Sequence, residues 1–78
     1  MNDNDKRRIR TELFRAIIAL QDAHAYLGHV EQILRGAESA PYTYQTKNTL
    51  YTLGQIKRVV TATIDNTTKE LKHYQPEA

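Results

Sequence analysis

A leucine recurs every seven residues through the first half of this chain. The leucines of this row are Leu13, Leu20, Leu27 and Leu34, and the residues that alternate with them are Ile9, Ala16, Ala23 and Val30. Steps of four and three residues place all eight side chains along one side of an α-helix. The pattern therefore predicts a helix that packs along its whole length against another helix.

Local signals indicate where the helices begin and end. The polar residues 2–5 offer N-caps, so helix 1 is predicted over about 5–35, with Gly36 as its C-terminal stop. Pro41 cannot continue helix 1 but suits the first turn of a following helix. Helix 2 is predicted over about 43–74.

Helix 2 has an apolar stripe of its own, which is less pure. Its members are Leu50, Leu53, Ile56, Val60, Ile64, Thr67, Leu71 and Tyr74, with Thr46 and Thr63 beside them. A short connection makes the two helices antiparallel, and a turn near residue 40 would pair Leu20 with Val60 and Ala16 with Ile64. We therefore predict an all-α, antiparallel two-helix hairpin that forms a single domain over residues 1–78.

More apolar side chains flank the two stripes than one partner helix can cover. This surplus predicts a homodimer in which two hairpins form a four-helix bundle. Three tyrosines near the turn are added to the candidates, because exposed tyrosines make good partner contacts, although they would serve equally well to cap the bundle core. The candidate protein-interface residues are Phe14, Ile17, Ile18, Ile33, Tyr42, Tyr44, Tyr51 and Val59.

Residues capable of catalysis or metal binding do not form a recognisable motif. The chain has no Cys, which excludes thiol chemistry and thiolate metal sites. His24 and His29 are five residues apart and point to different helix faces, unlike a zinc-binding pair. Ser39, the only Ser, has no His–acid constellation near it in the sequence. We expect no catalytic residues, no metal and no cofactor, and hence not an enzyme.

Basic residues form the sharpest local cluster, because an antiparallel hairpin brings both chain termini to one end, called the open end here. An anionic partner, either nucleic-acid phosphates or an acidic protein surface, is one interpretation. An ordinary solvated helix end is the other, and the mild net charge of +2 favours it. The candidate anion-binding residues are Lys6, Arg7, Arg8, Arg10, Arg15, Lys69 and Lys72.

These observations also predict a cellular location and a function. The polar start does not resemble a signal peptide, and no stretch reaches the ~20 apolar residues of a membrane span. With no Cys, this favours a cytoplasmic location and no membrane partner. The leading hypothesis is a non-catalytic protein–protein interaction module: a small adaptor, inhibitor or co-chaperone that acts through helix packing. The alternative is a nucleic-acid-binding regulator that uses the basic open end.

Overall fold

Two long helices make up the fold. The structure, a computed structural model, describes residues 1–36 and 43–75. Helix α1 spans Asp3–Gly36 and helix α2 spans Tyr44–Leu71, and the two pack against each other as an antiparallel hairpin. A 3₁₀ turn, Lys72–Tyr74, follows α2. The all-α hairpin predicted from the sequence is confirmed.

The helix bounds agree with the predicted ones to within a few residues, and side-chain caps explain where the helices begin. Oδ1 of Asn2 accepts a hydrogen bond from the backbone N–H of Asp5 at 2.8 Å. Oγ1 of Thr43 accepts one from the backbone N–H of Thr46 at 3.2 Å. Each cap satisfies one of the N–H groups that lack a partner in the first turn of a helix.

The contact line between the helices, called the seam, contains the leucine row of α1 as predicted. Leu13, Leu20, Leu27 and Leu34 are all half-buried there. Of the residues that alternate with them, Ile9 is half-buried as predicted, whereas Ala16, Ala23 and Val30 were predicted wrongly, since they are exposed. The seam positions belong instead to Ile17, which is 7% exposed, and to half-buried His24 and Glu31. The contact stripe of α1 is therefore rotated by one residue from the predicted one.

Helix α2 shows a similar difference at one position. Leu50 and Leu53 are buried, and the predicted stripe is half-buried from Val60 to Tyr74. Ile56, however, is 41% exposed, and the neighbouring Lys57 occupies its place in the seam. Ile56 was assigned to the seam because it is apolar. The position is taken by Lys57, whose ammonium group faces the carboxylate of Glu31 on α1.

The two helices are also shifted along each other relative to the predicted register. Nζ of Lys57 lies 3.3 Å from Oε1 of Glu31, whereas a turn centred on residue 40 would place Glu31 opposite Thr49. His24 and Ile64 line one small groove together, although Ala16 was the predicted neighbour of Ile64. Both observed pairs differ from the predicted ones by eight residues, so the predicted register is wrong by about two helical turns.

The hairpin is a thin rod. Its Cα atoms extend over 58 × 15 × 14 Å with a radius of gyration of 17.9 Å, against about 12 Å for a compact domain of this length. Its accessible surface is 6205 Å², against about 4,900 Å² for a compact monomer of 9.0 kDa. The seam is one side chain deep, so the rod leaves about 1,300 Å² more surface in water than a compact chain would.

Candidate protein interaction surface

The seam divides the surface of the hairpin into two broad faces. Gln21 and Thr61 line the same groove and so lie on one side of the seam. Each residue rotates a helix by about 100°, which places Ala23 across the leucine row from Gln21. By the same rotation, Ile56 and Thr63 lie across the seam from Thr61. The exposed flanks of α1 and α2 therefore meet in one continuous face on the side away from that groove.

This face carries no Asp, Glu, Lys or Arg along its central stretch, and we call it the uncharged face. Between residues 16 and 33 of α1 and between 45 and 66 of α2, none of the side chains on this side is Asp, Glu, Lys or Arg. The residues that define it, all exposed, are Ala16, Ala19, Ala23, Tyr26, Val30, Ile33, Thr52, Ile56, Val59 and Thr63. The core of a protein–protein interface shows the same depletion of charge.

Large apolar side chains on the uncharged face are in contact with water. Ile33 is 70% exposed, Tyr26 is 68% exposed and Val59 is 65% exposed. The hydroxyl of Thr63 donates a hydrogen bond to the backbone carbonyl of Val59 at 2.7 Å. Because its hydrogen-bonding proton is used within the helix, Thr63 adds little polarity to this surface.

The opposite side of the seam, called the charged face, has a different character. A shallow groove there is lined by His24, Gly54, Lys57, Arg58, Thr61, Ala62 and Asp65. Phe14 and Ile18, one turn apart on α1, also lie on this side and are 48% and 53% exposed. Charged side chains interrupt the apolar surface here, so it offers no extended apolar contact area.

A charged pair occupies the seam beside the uncharged face. The side chains of Glu31 and Lys57 are only 19% and 28% exposed, and Oε1 of Glu31 is buried without a hydrogen bond. Their apolar neighbours Val30 and Ile56 lie outside the seam, on the uncharged face. The carboxylate and the ammonium group are thus less exposed than the two branched apolar residues next to them, which are 42% and 41% exposed.

The predicted interface residues do not gather into one surface. Ile33 and Val59 belong to the uncharged face, whereas Tyr44 and Tyr51 lie on the side of α2 that points away from α1. Ile17 was predicted as exposed flank, which is wrong, because it is buried in the seam. Tyr42 lies outside the described residues.

Sequence reasoning missed most of the uncharged face, because Ala16, Ala23, Val30 and Ile56 had been assigned to the seam. The signal that identifies these residues is the absence of charge along this flank of both helices. A projection of each helix down its axis reveals it.

The basic residues do come together, as the antiparallel arrangement requires. Four of them lie at the start of α1, namely Lys6, Arg7, Arg8 and Arg10. The 3₁₀ turn that follows α2 packs against α1. Arg15 forms an exposed ion pair with Glu12, with Nη1 and Oε1 2.9 Å apart. Within residues 1–36 and 43–75, the other six candidate cations form no ion pair. An anionic partner for this end stays a prediction.

The histidines lie apart from one another in the described structure. The ring of His29 meets that of Tyr26 edge to face, with centroids 6.0 Å apart, and His24 lies in the seam. Residues 1–36 and 43–75 contain no group of three or more His, Asp or Glu side chains that could hold a metal ion. Neither described helix has an apolar stretch long enough to cross a membrane.

Comparisons with protein-family models, with curated proteins and with solved structures give no match for this chain. Its function is therefore inferred from the surfaces of the hairpin alone.

Proposed function

We propose that this chain is a non-catalytic protein–protein interaction module that acts through helix packing, as a small adaptor, inhibitor or co-chaperone. The observation that carries the proposal is the uncharged face, a surface shared by both helices that exposes large apolar side chains and is free of Asp, Glu, Lys and Arg between residues 16–33 and 45–66. In this proposal two hairpins associate as a homodimer and form a four-helix bundle. The location that fits such a role is the cytoplasm.

The physical support comes from the cost of leaving this surface in water. Burying apolar area stabilises an association by about 25 cal/mol per Å², and charge is scarce at the centre of stable interfaces. The side chains of Tyr26, Ile33 and Val59, each more than half exposed, are the kind of large apolar contacts that bind partners. A partner that covers this face needs no charged group opposite it.

Sedimentation equilibrium of the pure chain tests the proposal. We expect a dimer whose stability changes little between low and high salt, because apolar burial does not depend on counterions. The measurement is repeated with a short DNA duplex and with a structured RNA, and we expect neither to bind. A monomer at tens of micromolar, or a dimer that dissociates as salt rises, would contradict it.

A nucleic-acid-binding regulator is the alternative, and the unpaired cations at the open end are the observation that favours it. A protein that contacts Z phosphates loses affinity with a log–log salt slope of about −0.9Z for duplex DNA. We expect such a slope only if this alternative holds. Replacing Arg7, Arg8 and Arg10 together with Ala would then abolish binding, while Arg58→Ala on the charged face would leave it nearly unchanged.

A further inference from the structure

We propose that a second copy of this chain covers the uncharged face, and that the two hairpins lie antiparallel. The open end of one hairpin then lies beside the turn end of the other. The inference rests on the proposed self-association and adds to it the contact surface and the orientation.

The position of Glu31 and Lys57 is the first argument that this face has an occupant. A lone hairpin would bury more apolar surface if Val30 and Ile56 faced the seam and the charged pair faced water. The structure has the reverse arrangement, with Val30 and Ile56 exposed. This arrangement suits a chain whose uncharged face is covered by a partner.

The side of the hairpin that contains the uncharged face is large enough for a dimer interface. The whole side is 58 Å long and 15 Å wide and presents about 900 Å², of which the charge-free stretch forms about half. A standard interface buries about 800 Å² on each partner. Removing the whole side, about 900 Å², from the 6205 Å² exposed by one hairpin leaves about 5,300 Å², against about 4,900 Å² for a compact chain of the same mass. One second copy therefore covers about two-thirds of the surplus.

The sizes of the side chains favour the antiparallel orientation. Toward the open end, α1 contributes only the alanines at 16, 19 and 23 to the face, whereas Tyr26, Val30 and Ile33 lie toward the turn. An antiparallel pair places the large half of one copy on the small half of the other, so the surfaces interdigitate. A parallel pair places large residues on large ones and leaves a gap along the alanines.

Charge favours the same orientation. The cations at the open end, among them Arg7, Arg8 and Lys69, would lie next to their counterparts in a parallel pair. An antiparallel pair of rods 58 Å long keeps the two basic ends several Debye lengths apart, since that length is about 8 Å in physiological salt. Repulsion between like charges is then screened.

Single-cysteine variants test both the face and the orientation, because the natural chain has no Cys. The variants are Ala16→Cys, Ala23→Cys and Val30→Cys, with Gln21→Cys on the charged face as the control. A two-fold axis near Ala23 places Ala16 of one copy beside Val30 of the other. It separates the two copies of Ala16 by about 21 Å, far beyond the reach of a disulfide.

Mild oxidation of mixed variants, one of them carrying a mass tag, gives the readout. We expect Ala23→Cys to link to itself, and Ala16→Cys to link to Val30→Cys much faster than to itself. Faster self-linking of Ala16→Cys and of Val30→Cys would overturn the orientation in favour of a parallel pair. Linking through Gln21→Cys, with none through Ala23→Cys, would overturn the face.

Sedimentation of the same variants separates this inference from the proposed function. A dimer that links only through the charged face keeps self-association and overturns the present inference. A monomer overturns both. Val59→Asp gives an independent check, since Val59 is 65% exposed in the hairpin and its change should leave the helical circular dichroism intact. We expect this variant to be monomeric, and a stable Val59→Asp dimer would contradict the inference.

Discussion

The ammonium nitrogen of Lys57 lies 3.3 Å from Oε1 of Glu31, within a seam lined mainly by apolar side chains. Both side chains are less than one-third exposed, so water solvates them only in part. A charged pair in such a place is weak evidence for stability, because the cost of desolvation offsets much of the attraction. Its stronger effect is on register, since only one alignment of the helices brings the two charges together.

Removing one member of this pair should destabilise the hairpin more than removing both. Lys57→Met keeps the aliphatic stem but leaves the carboxylate of Glu31 half-buried without its cation, at an expected cost of about 1–3 kcal/mol. The double variant Lys57→Met with Glu31→Leu should recover the wild-type free energy of unfolding or exceed it. Urea unfolding followed by circular dichroism measures both.

The exposed Arg15–Glu12 pair provides a matched control, since its side chains are 72% and 69% exposed. Arg15→Ala should change the free energy of unfolding by less than about 0.5 kcal/mol. If Arg15→Ala costs as much free energy of unfolding as Lys57→Met, the partial burial of the Glu31–Lys57 pair does not determine its effect on stability.

Two glycines inside the helices should tolerate alanine. A Cβ atom added at Gly28 or at Gly54 meets no atom within 4 Å, and neither residue has a positive φ. Each replacement should therefore raise stability by about 0.5–1 kcal/mol through a better helix propensity. Thermal unfolding of Gly28→Ala, Gly54→Ala and the double variant measures it. A lower melting temperature would mean that these positions pack against something outside the hairpin.

The cap at the start of α2 should contribute measurably to stability. Thr43→Ala removes the acceptor of the bond from the backbone N–H of Thr46 and should cost about 1 kcal/mol. Thr43→Asp should retain most of that stability, because a carboxylate accepts the same bond and also favours a helix N-terminus. Thr61→Ala, at an exposed position in the middle of α2 away from the uncharged face, is the control. If Thr43→Ala and Thr61→Ala have the same melting temperature, the cap has no role.

Truncation at the seam should be severe because the core is so thin. Leu53 is 9% exposed, and Leu53→Ala should cost about 2–5 kcal/mol, enough to unfold a chain of this size. Leu53→Met should cost less than about 1.5 kcal/mol. Its unfolding can therefore be measured even if Leu53→Ala does not fold. Ile18→Ala, at a residue that is 53% exposed, should change little in the same urea titration. Similar midpoints for Leu53→Ala and Ile18→Ala would show that the seam does not hold the hairpin together.

The sequence predicted the hairpin because its signals are local. Leu13, Leu20, Leu27 and Leu34 are found where the repeat placed them, and the breaks near Gly36 and Pro41 separate the helices. What failed was the choice between adjacent residues at the alternate positions. Hydrophobicity favours Val30 over Glu31 and Ile56 over Lys57. Each choice is wrong by one residue, and in the same direction.

These two errors have one physical cause. The contact stripe of α1 is rotated by one residue at Ile17 and His24 as well as at Glu31, and this rotation lets Glu31 meet Lys57 across the seam. The pattern along a single helix contains no information about a partner that lies 26 residues away. The uncharged face was missed for the same reason, since its residues had been used to fill the seam. The residues of the uncharged face can therefore be assigned only from a structure that shows which residues occupy the seam.

The thin seam also has a consequence for how long the chain survives in a cell. A rod with only three buried apolar residues in its described part, Ile17, Leu50 and Leu53, opens locally at a small free-energy cost, and proteases cleave such open states. Binding to the folded form lowers the population of those states by mass action. We expect copies that find a partner to persist and unbound copies to be degraded, so that the abundance of the chain follows the abundance of what it binds.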